Sequence, residues 1–268
     1  MTLIFKFQGH EAEQHRLEAY DGLEALAGLA RAATLIAHYA ATGKIRHRKP
    51  YDEKLRFYFE DTRPGSLEAI LALVSTPGGT IAAGIATGVA GNFVYALLAR
   101  VWKRAVGRER ESPLNFDGAH IGAGDIDALA EAVEPALTRG HQWIRSSGQQ
   151  IVISGNNNQV AIFDSSSKEY LVNEVIAEGY DIQDVSVASL NVNSRRGRVY
   201  LADLGRTVPF TTARDATPRT IPTLAEYLSE YADNSGATVN IKFQRVYYQD
   251  GRLKRLIVQD CYALAGRV

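Results

Sequence analysis

Several short patterns in the sequence contain residue types that enzymes use, but their spacing does not suit the chemistry. In HEAEQH, which starts at His10, the second histidine comes one residue too late for two zinc ligands to share a helical face. GGTIAAG lacks the lysine and the hydroxyl of a phosphate-binding loop, and the D-x-K spacing of Asp52 and Lys54 is a very common tripeptide. Cys261 is the only cysteine, which excludes a disulfide framework and a cysteine-cluster metal site. We therefore expect no enzymatic activity, no catalytic residue, no metal site and no cofactor.

Arginine clusters next to aromatic residues point instead to the binding of an anion. Arg195, Arg196 and Arg198 surround a predicted hairpin turn, and Tyr200 follows them. Guanidinium groups bind phosphates, and aromatic rings stack on bases. Further aromatic residues in the same half of the chain are Phe210, Tyr247 and Tyr248. We predict that the three arginines bind a nucleotide or an oligonucleotide; the alternative is a solvated turn, because turns favour glycine without any ligand.

Short strands that would position these arginines dominate the second half of the chain. IVISGNNNQVAIF has β-rich runs on both sides of a Gly-Asn-Asn turn, and the last segment predicts a long hairpin that turns at Asp250-Gly251. VSVASLNVN, GRVYLAD and TVPFTT are three more strand candidates, and TLAEYLSEYADNSG predicts one short helix. We expect a small antiparallel β-barrel, SH3-like or OB-like, over residues 151–268. The predicted linker lies near Ser146–Gln150.

The first half of the chain mixes strand and helix patterns and predicts an α/β domain over residues 1–145. LIFKF alternates apolar and polar residues as a strand does, and helical spacing runs from Leu17 to Ala41. KLRFYFED predicts a second strand. RPGSLEAILALV offers Ser66 as the cap of a helix. We expect this pattern to lead into a hydrophobic helix over residues 70–101, and the fold class of the whole chain to be α+β.

A long uncharged stretch, rich in glycine, lies between Glu68 and Arg100. Within it, Thr80–Ala99 has the length of about 20 residues that spans a bilayer. The residues predicted to pack one membrane helix against another are Gly84, Gly88 and Gly91. The residues predicted to anchor the helix at the lipid headgroups are Arg100, Trp102, Lys103 and Arg104. Because glycine, asparagine and threonine dilute the apolar run, a buried helix that packs closely on a sheet is the alternative.

The overall composition is that of a folded protein whose charges balance. The 268 residues include 30 basic and 30 acidic side chains, which excludes binding of nucleic acid over the whole surface but permits a local basic patch. A hydrophobic content of 46% argues against disorder. The first residues, MTLIFKFQGHEAEQ, reach charged side chains too soon for a secretory signal, which favours a cytosolic protein with one anomalous apolar run.

The layout of the chain resembles that of a group of bacterial proteins with an N-terminal α/β domain and a C-terminal β domain. The segments that carry the resemblance are RPGSLEAIL before the glycine-rich run, NVNSRRGRVYLADLGRTVPF and DGRLKRLIVQDC. These features are similar to membrane-channel effectors of anti-phage defence of the Hailong type, in which a bound oligodeoxyadenylate holds a tetrameric channel closed. The resemblance implies a homo-oligomer, a tetramer, that contacts membrane lipid and is located in the bacterial inner membrane, or in the cytoplasm before activation.

Two functions follow as hypotheses from these observations. The first is an anti-phage defence effector that oligomerises and forms a membrane channel or breach, gated by an anionic nucleotide or oligonucleotide. The alternative is a soluble regulatory module that binds nucleotides or nucleic acid and never enters lipid.

Overall fold

The computed structural model describes residues 2–63, 67–75, 90–110, 112–117, 119–145, 149–155, 158–233 and 236–262. The chain divides into two compact units, Met1–Val172 and Asn173–Val268. Each unit contains both helices and a sheet, so the predicted α+β fold class is confirmed.

The N-terminal unit is built on one antiparallel sheet and the helices that pack against it. Its elements are β1 (Thr2–Gln8), α1 (His10–Glu13), α2 (Ala19–Thr42), β2 (Leu55–Arg63), β3 (Leu67–Ser75), α3 (Ala90–Ala105), β4 (Leu114–Phe116), β5 (Ala119–Ile121), α4 (Ala123–Gly140), β6 (Gln150–Gly155), β7 (Asn158–Phe163) and α5 (Ser165–Val172). The strand order in the sheet is β2-β3-β1-β6-β7, and β4 pairs with β5 separately.

Strict alternation in β1 defines the core of the N-terminal unit. Leu3, Phe5 and Phe7 are fully buried, because alternate side chains of a strand point to the same face of the sheet. The ring of Phe5 lies 6.2 Å from that of Trp102 in α3, and the ring of Phe7 meets Trp143 edge-on at 5.1 Å. The helices α2, α3 and α4 pack against one another around this core.

The structure differs from the sequence prediction at both ends of this unit. The predicted helix over residues 70–101 begins as a strand, because β3 lies between β2 and β1 and pairs with both of them. Helix α3 is described from Ala90 onward, and residues 76–89 lie outside the described residues. The hairpin β6–β7, expected in the C-terminal domain, completes the N-terminal sheet because β6 pairs with β1. The boundary expected near Ser146–Gln150 therefore moves to the junction of Val172 and Asn173.

The C-terminal unit is a small β-barrel with one helix. Its elements are β8 (Val175–Ile176), β9 (Asp181–Asn191), β10 (Arg196–Leu201), β11 (Arg206–Thr212), α6 (Thr220–Ala232), β12 (Val239–Tyr247) and β13 (Leu253–Tyr262). The strands β9, β10, β11, β13 and β12 follow one another around the barrel, and the pairing of β12 with β9 closes it. The predicted small barrel is thus confirmed.

The strand order identifies the type of barrel. If the five barrel strands are numbered in chain order, they follow one another around the barrel as first, second, third, fifth and fourth. In the sequence, α6 lies between the third and the fourth strand. This is the Greek-key order of the OB-fold rather than that of an SH3-like barrel. The pair β11–β13 is parallel, whereas the other pairs around the barrel are antiparallel.

A hydrogen-bonded carboxylate joins the start of α6 to β13. Arg219 donates from Nε and Nη2 to the two carboxylate oxygens of Asp260 at 3.2 and 2.9 Å, and the hydroxyl of Thr217 bonds to the same group. These donors hold the pKa of Asp260 well below its usual range. The neighbouring Cys261 is fully buried, and burial raises the pKa of its thiol to about 12, so the thiolate is not formed near neutral pH.

Candidate nucleic-acid interface

The candidate site lies on the outer side of β10 and β11, the second and third strands of the barrel. In the antiparallel register, Arg196 is opposite Thr211, Arg198 is opposite Pro209 and Tyr200 is opposite Thr207. Alternate residues of a strand share a face, so these side chains point away from the barrel interior. We call this set the β10–β11 face; its residues are Arg196, Arg198, Tyr200, Thr207, Pro209 and Thr211.

Buried neighbours on the inner side hold this face in place. Val199, Leu201, Val208 and Phe210 are at most 1% exposed and fill the barrel interior. Gly197 also points inward, and a Cβ atom there would lie 2.1 Å from the carbonyl oxygen of Ser189 and 2.6 Å from the ring of Phe210. The glycine between the two arginines therefore allows β9 and β10 to approach each other closely.

We expect Gly197→Ala to destabilise the C-terminal unit by about 1–3 kcal/mol, because the new methyl group meets a backbone oxygen that cannot move independently. Calorimetric thermal unfolding of the full chain measures this loss. Gly179→Ala in the same unit is the matched control, since nothing lies within 4 Å of its added Cβ. Equal unfolding temperatures for the two variants would contradict the close packing at Gly197.

The segment that forms the face is strongly basic. Between Val185 and Arg214 the arginines are Arg195, Arg196, Arg198, Arg206 and Arg214. The same segment has a single acidic residue, Asp203, whose carboxylate accepts from Arg245 Nη2 at 2.8 Å. That hydrogen bond lowers the pKa of Asp203, so the carboxylate stays charged and engaged with Arg245. The outer side of β10 and β11 therefore carries positive charge with no carboxylate in either strand.

The individual side chains of the face offer both charge and a stacking surface. Arg196 is exposed, and Arg198 is half-buried because its Nη2 reaches across to the carbonyl oxygen of Thr207 at 3.1 Å. Tyr200 is 41% exposed and follows the two arginines in the outward row. Two other aromatic residues named from the sequence do not contribute, because Phe210 is 1% and Tyr248 3% exposed.

The loop before β10 contributes the third predicted arginine. Arg195 has a positive φ of 54°, and its carbonyl oxygen accepts from the backbone N–H of Thr212 at 2.9 Å. Arg195 Nε and Thr212 Oγ1 are both buried and have no hydrogen-bond partner among the described residues. Such polar atoms are uncommon in folded proteins, where water or a ligand usually supplies the missing partner. Arg195 thus lies next to the face, but it does not belong to the outward row.

Matches to known families divide along the same lines as the fold. Residues 3–120 match a domain of unknown function, DUF7946. Residues 181–261 match a family of unknown function, DUF7947. No curated protein and no solved structure matches the chain. The second match begins with β9 and ends within β13, so it coincides with the barrel.

The parallel pairing of β13 with β11 brings a further arginine to the edge of the face. Arg255 Nη1 donates to the hydroxyl of Thr211 at 2.7 Å, and its Nη2 donates to Glu174 at 2.7 Å. This contact could not be predicted from the sequence, because no local pattern shows which strands become neighbours. The carboxylate of Glu174 partly neutralises this arginine, and so Arg196 and Arg198 remain the principal cations of the face.

A second basic cluster lies at the turn between β12 and β13, with Arg252 in the loop and Lys254 at the start of β13. The guanidinium carbon of Arg252 lies 4.3 Å and the Nζ of Lys254 5.1 Å from the ring centre of Tyr248. These cation–π contacts fix both side chains against a buried ring. In OB-folds the loop between the fourth and fifth strands, like the loop before the second strand, flanks the ligand face.

The residues predicted to anchor a membrane helix lie in different environments. Trp102 is fully buried against Phe5 and Phe163, whereas Lys103 is exposed. Arg100 pairs with Glu109 at 2.7 Å, and Arg104, 6% exposed, pairs with Asp127 at 2.5 Å. The structure therefore does not bring Trp102 to the surface beside these cations.

Of the three glycines predicted to pack membrane helices, only Gly91 is described. It lies in the first turn of α3 and is half-buried, while Gly84 and Gly88 lie outside the described residues. Within the described ranges, no helix is both long enough and apolar enough to cross a bilayer. The described residues also contain no cluster of histidine, cysteine and carboxylate groups with the geometry of a metal site.

Proposed function

We propose that the C-terminal unit binds single-stranded nucleic acid on the β10–β11 face. The observation that carries this proposal is the outward row Arg196, Arg198 and Tyr200 on the second strand of a barrel with the OB strand order. The face of the second and third strands is the surface that binds oligonucleotides in OB-folds. Arginine contacts to phosphates and base stacking on an exposed aromatic ring are the two interactions that such binding requires.

The spacing of the row and its exposed ring together suit an extended single strand as the ligand. Alternate residues of a β-strand are about 6.7 Å apart, which is twice the rise per residue. Consecutive phosphates along one nucleic-acid strand are separated by roughly the same distance, so Arg196 and Arg198 can contact neighbouring phosphates. Tyr200 can stack on a base at the same time, which favours a single strand because the bases of a duplex are already stacked on one another.

Both functional hypotheses from the sequence include this site. In the effector hypothesis the oligonucleotide gates a membrane channel, and in the alternative it regulates a protein that stays out of lipid. The membrane part depends on Thr80–Ala99, of which residues 80–89 lie outside the described residues. We therefore limit the proposal to the ligand and its binding surface, on which both hypotheses agree.

Fluorescence anisotropy with the full chain tests the proposal. We expect a labelled single strand of about 12 nucleotides to bind, and a duplex of the same sequence to bind much more weakly. Tyr200→Ala should weaken binding of the single strand by about 1–3 kcal/mol, or roughly 5- to 150-fold, because it removes the stacking surface. Tyr200→Phe keeps the ring and should retain most of the affinity.

Tyr231→Ala is the matched control for the loss of a tyrosine. Tyr231 lies on α6 and is 42% exposed, which is almost the same as Tyr200, but it is not on the β10–β11 face. Equal effects of Tyr200→Ala and Tyr231→Ala, or duplex binding as tight as single-strand binding, would refute the proposed site.

A further inference from the structure

The strand β2 forms one edge of the sheet in the N-terminal unit. It pairs with β3 on one side, and among the described residues no strand pairs with its other side. Its sequence is LRFYFEDTR. An edge strand of this length exposes unpaired N–H and C=O groups, which is the surface that proteins use to add a strand from another chain.

Two large aromatic side chains are exposed on this edge. Tyr58 is 51% and Phe59 55% exposed, although both belong to a strand of the sheet. Because they are consecutive residues, they lie on opposite faces of the sheet. A partner strand placed beside β2 would cover apolar surface on both faces, as a strand within the sheet does.

The sequence of β2 is complementary to itself when it is reversed about Tyr58. With Tyr58 opposite its own copy, Phe57 is opposite Phe59, and Arg56 is opposite Glu60. Antiparallel strands related by a two-fold axis form every such pair twice. Opposite charges and aromatic pairs directly across two strands stabilise the pairing, whereas like charges oppose it.

The local structure of β2 leaves these charges available at the edge. A β-bulge takes the register from Phe59 opposite Leu71 to Asp61 opposite Ile70, so Glu60 is the extra residue and its side chain is exposed. Arg56 contacts Glu53 in its own chain, but their side chains are 48% and 81% exposed, and exposed pairs of this kind contribute little. Arg56 can therefore exchange this contact for Glu60 of a second copy.

We propose that two copies of this chain associate by antiparallel pairing of β2 with β2, about a two-fold axis at Tyr58. The partner is a second copy because the charge pattern and the aromatic pattern both fit their own reversal. The pairing extends the antiparallel sheet continuously from one copy to the other. It is independent of the oligonucleotide site, since it involves only the N-terminal unit.

Disulfide trapping tests the position of the axis. Tyr58→Cys places a cysteine opposite its own copy, so we expect a cross-linked dimer under mild oxidation. Arg56→Cys is the matched control: Arg56 is offset from its own copy by about 13 Å along the strands, which is far beyond the roughly 7 Å limit between disulfide-bonded Cα atoms. The native Cys261 is buried and does not compete. Equal cross-linking of both variants, or none of Tyr58→Cys, would overturn the proposed axis.

Charge exchange tests the pairing without a covalent bond. Arg56→Glu and Glu60→Arg each place like charges opposite each other twice, so we expect each to raise the dimer dissociation constant by about tenfold. The double variant R56E/E60R restores opposite charges and should return the constant to within about twofold of the original. Light scattering over a range of protein concentrations measures these constants. A protein that is monomeric throughout, or a double variant no better than the single ones, would refute the pairing.

Discussion

Replacing Arg196 and Arg198 with glutamate is expected to weaken binding of a single-stranded oligonucleotide by about 100-fold, or roughly 2.7 kcal/mol. The change removes two cations from the outward row and places two anions where the phosphates would lie. Both positions are on the outer side of the barrel, so the fold should persist. The measurement is the anisotropy titration with the labelled single strand.

The matched control changes the same amount of charge in the other unit. Arg16 and Arg110 are exposed residues of the N-terminal unit, and R16E/R110E alters the net charge of the protein by the same amount as R196E/R198E. If binding depends on the β10–β11 face, the control should retain most of its affinity. Similar losses for the two double variants would mean that only the overall charge matters.

The salt dependence of binding gives a second readout of the same contacts. Each phosphate contact to a single strand adds about 0.7 to the slope of log affinity against log salt concentration. R196A/R198A should therefore reduce that slope by about 1.4, whereas Tyr200→Ala should leave it nearly unchanged, because stacking releases no counterions. An unchanged slope for the arginine variant would place the phosphates elsewhere.

The barrel and its arginine row were accessible from the sequence because strand alternation is a local property. In GRVYL and TVPFT the apolar residues alternate with polar ones, and the structure buries Val199, Leu201, Val208 and Phe210 as that pattern requires. The same alternation places Arg196, Arg198 and Tyr200 on one outward face. Pairing between distant strands leaves no such local pattern, and so the contact of Arg255 with Thr211 could not be predicted.

The strand β3 shows why a short apolar run is ambiguous. Ala69, Leu71 and Leu73 point to one face of the sheet and Ile70 and Ala72 to the other, yet all five are at most 8% exposed. A strand buried on both faces loses its alternation, and its sequence then resembles that of a buried helix. The pairing of β3 with β1, which places β3 inside the sheet, joins segments that are far apart in the chain, whereas the pairing of β3 with β2 is local.

The domain boundary was misplaced for a related reason. The hairpin pattern of β6 and β7 was recognised correctly, but a hairpin carries no information about which sheet it joins. Its partner in the sheet is β1, which is far from it in the sequence because it is the first strand of the N-terminal unit. Helix α3 presents the same kind of ambiguity, because its buried row, which includes Phe93, Leu97 and Trp102, has a spacing that fits a core helix as well as a membrane helix.

A buried histidine should make the N-terminal unit sensitive to acid. His141 is 1% exposed and lies at the C-terminal end of α4, with its ring 4.6 Å from that of Phe163. Its Nδ1 donates to the carbonyl oxygen of Leu137 at 2.7 Å, and its Nε2 lies 2.9 Å from the hydroxyl oxygen of Ser167. Burial of the ring favours its neutral form.

Burial lowers the pKa of His141 from its ordinary value of 6.5 to about 4, although the Leu137 carbonyl and Asp164 oppose the shift. Between these two values the unfolded chain binds a proton that the folded one does not, so the free energy of unfolding falls as the pH falls. Near pH 5 the expected loss from this one group is about 2 kcal/mol relative to neutral pH, rising to about 3 kcal/mol near pH 4. Above pH 6.5 the contribution vanishes, because both states are neutral.

Urea unfolding at neutral pH and near pH 5, followed by tryptophan fluorescence, measures this loss. Trp102 and Trp143 are the only tryptophans and both are buried in the N-terminal unit, so the signal reports that unit alone. His141→Gln should unfold more easily at every pH, but its stability should depend less on pH than that of the unchanged chain, by about 2 kcal/mol over this range. His120→Gln, which changes an exposed histidine, should keep the full pH dependence.

Comparing the pH dependence of stability in the unchanged chain and in His141→Gln separates His141 from the other acid-sensitive groups of the unit. Burial also lowers the pKa of His38, which adds a loss of stability in the same direction but is unchanged in the His141→Gln variant. Burial alone would raise the pKa of Asp164, but the backbone N–H of Ser167 and the guanidinium of Arg108 lower it overall. Protonation of Asp164 therefore affects the stability only below the ordinary value of 3.8. Identical pH dependence in the unchanged chain and in His141→Gln would therefore show that His141 is charged in the folded state, and direct NMR titration of its ring would then give a pKa near 6.5 rather than near 4.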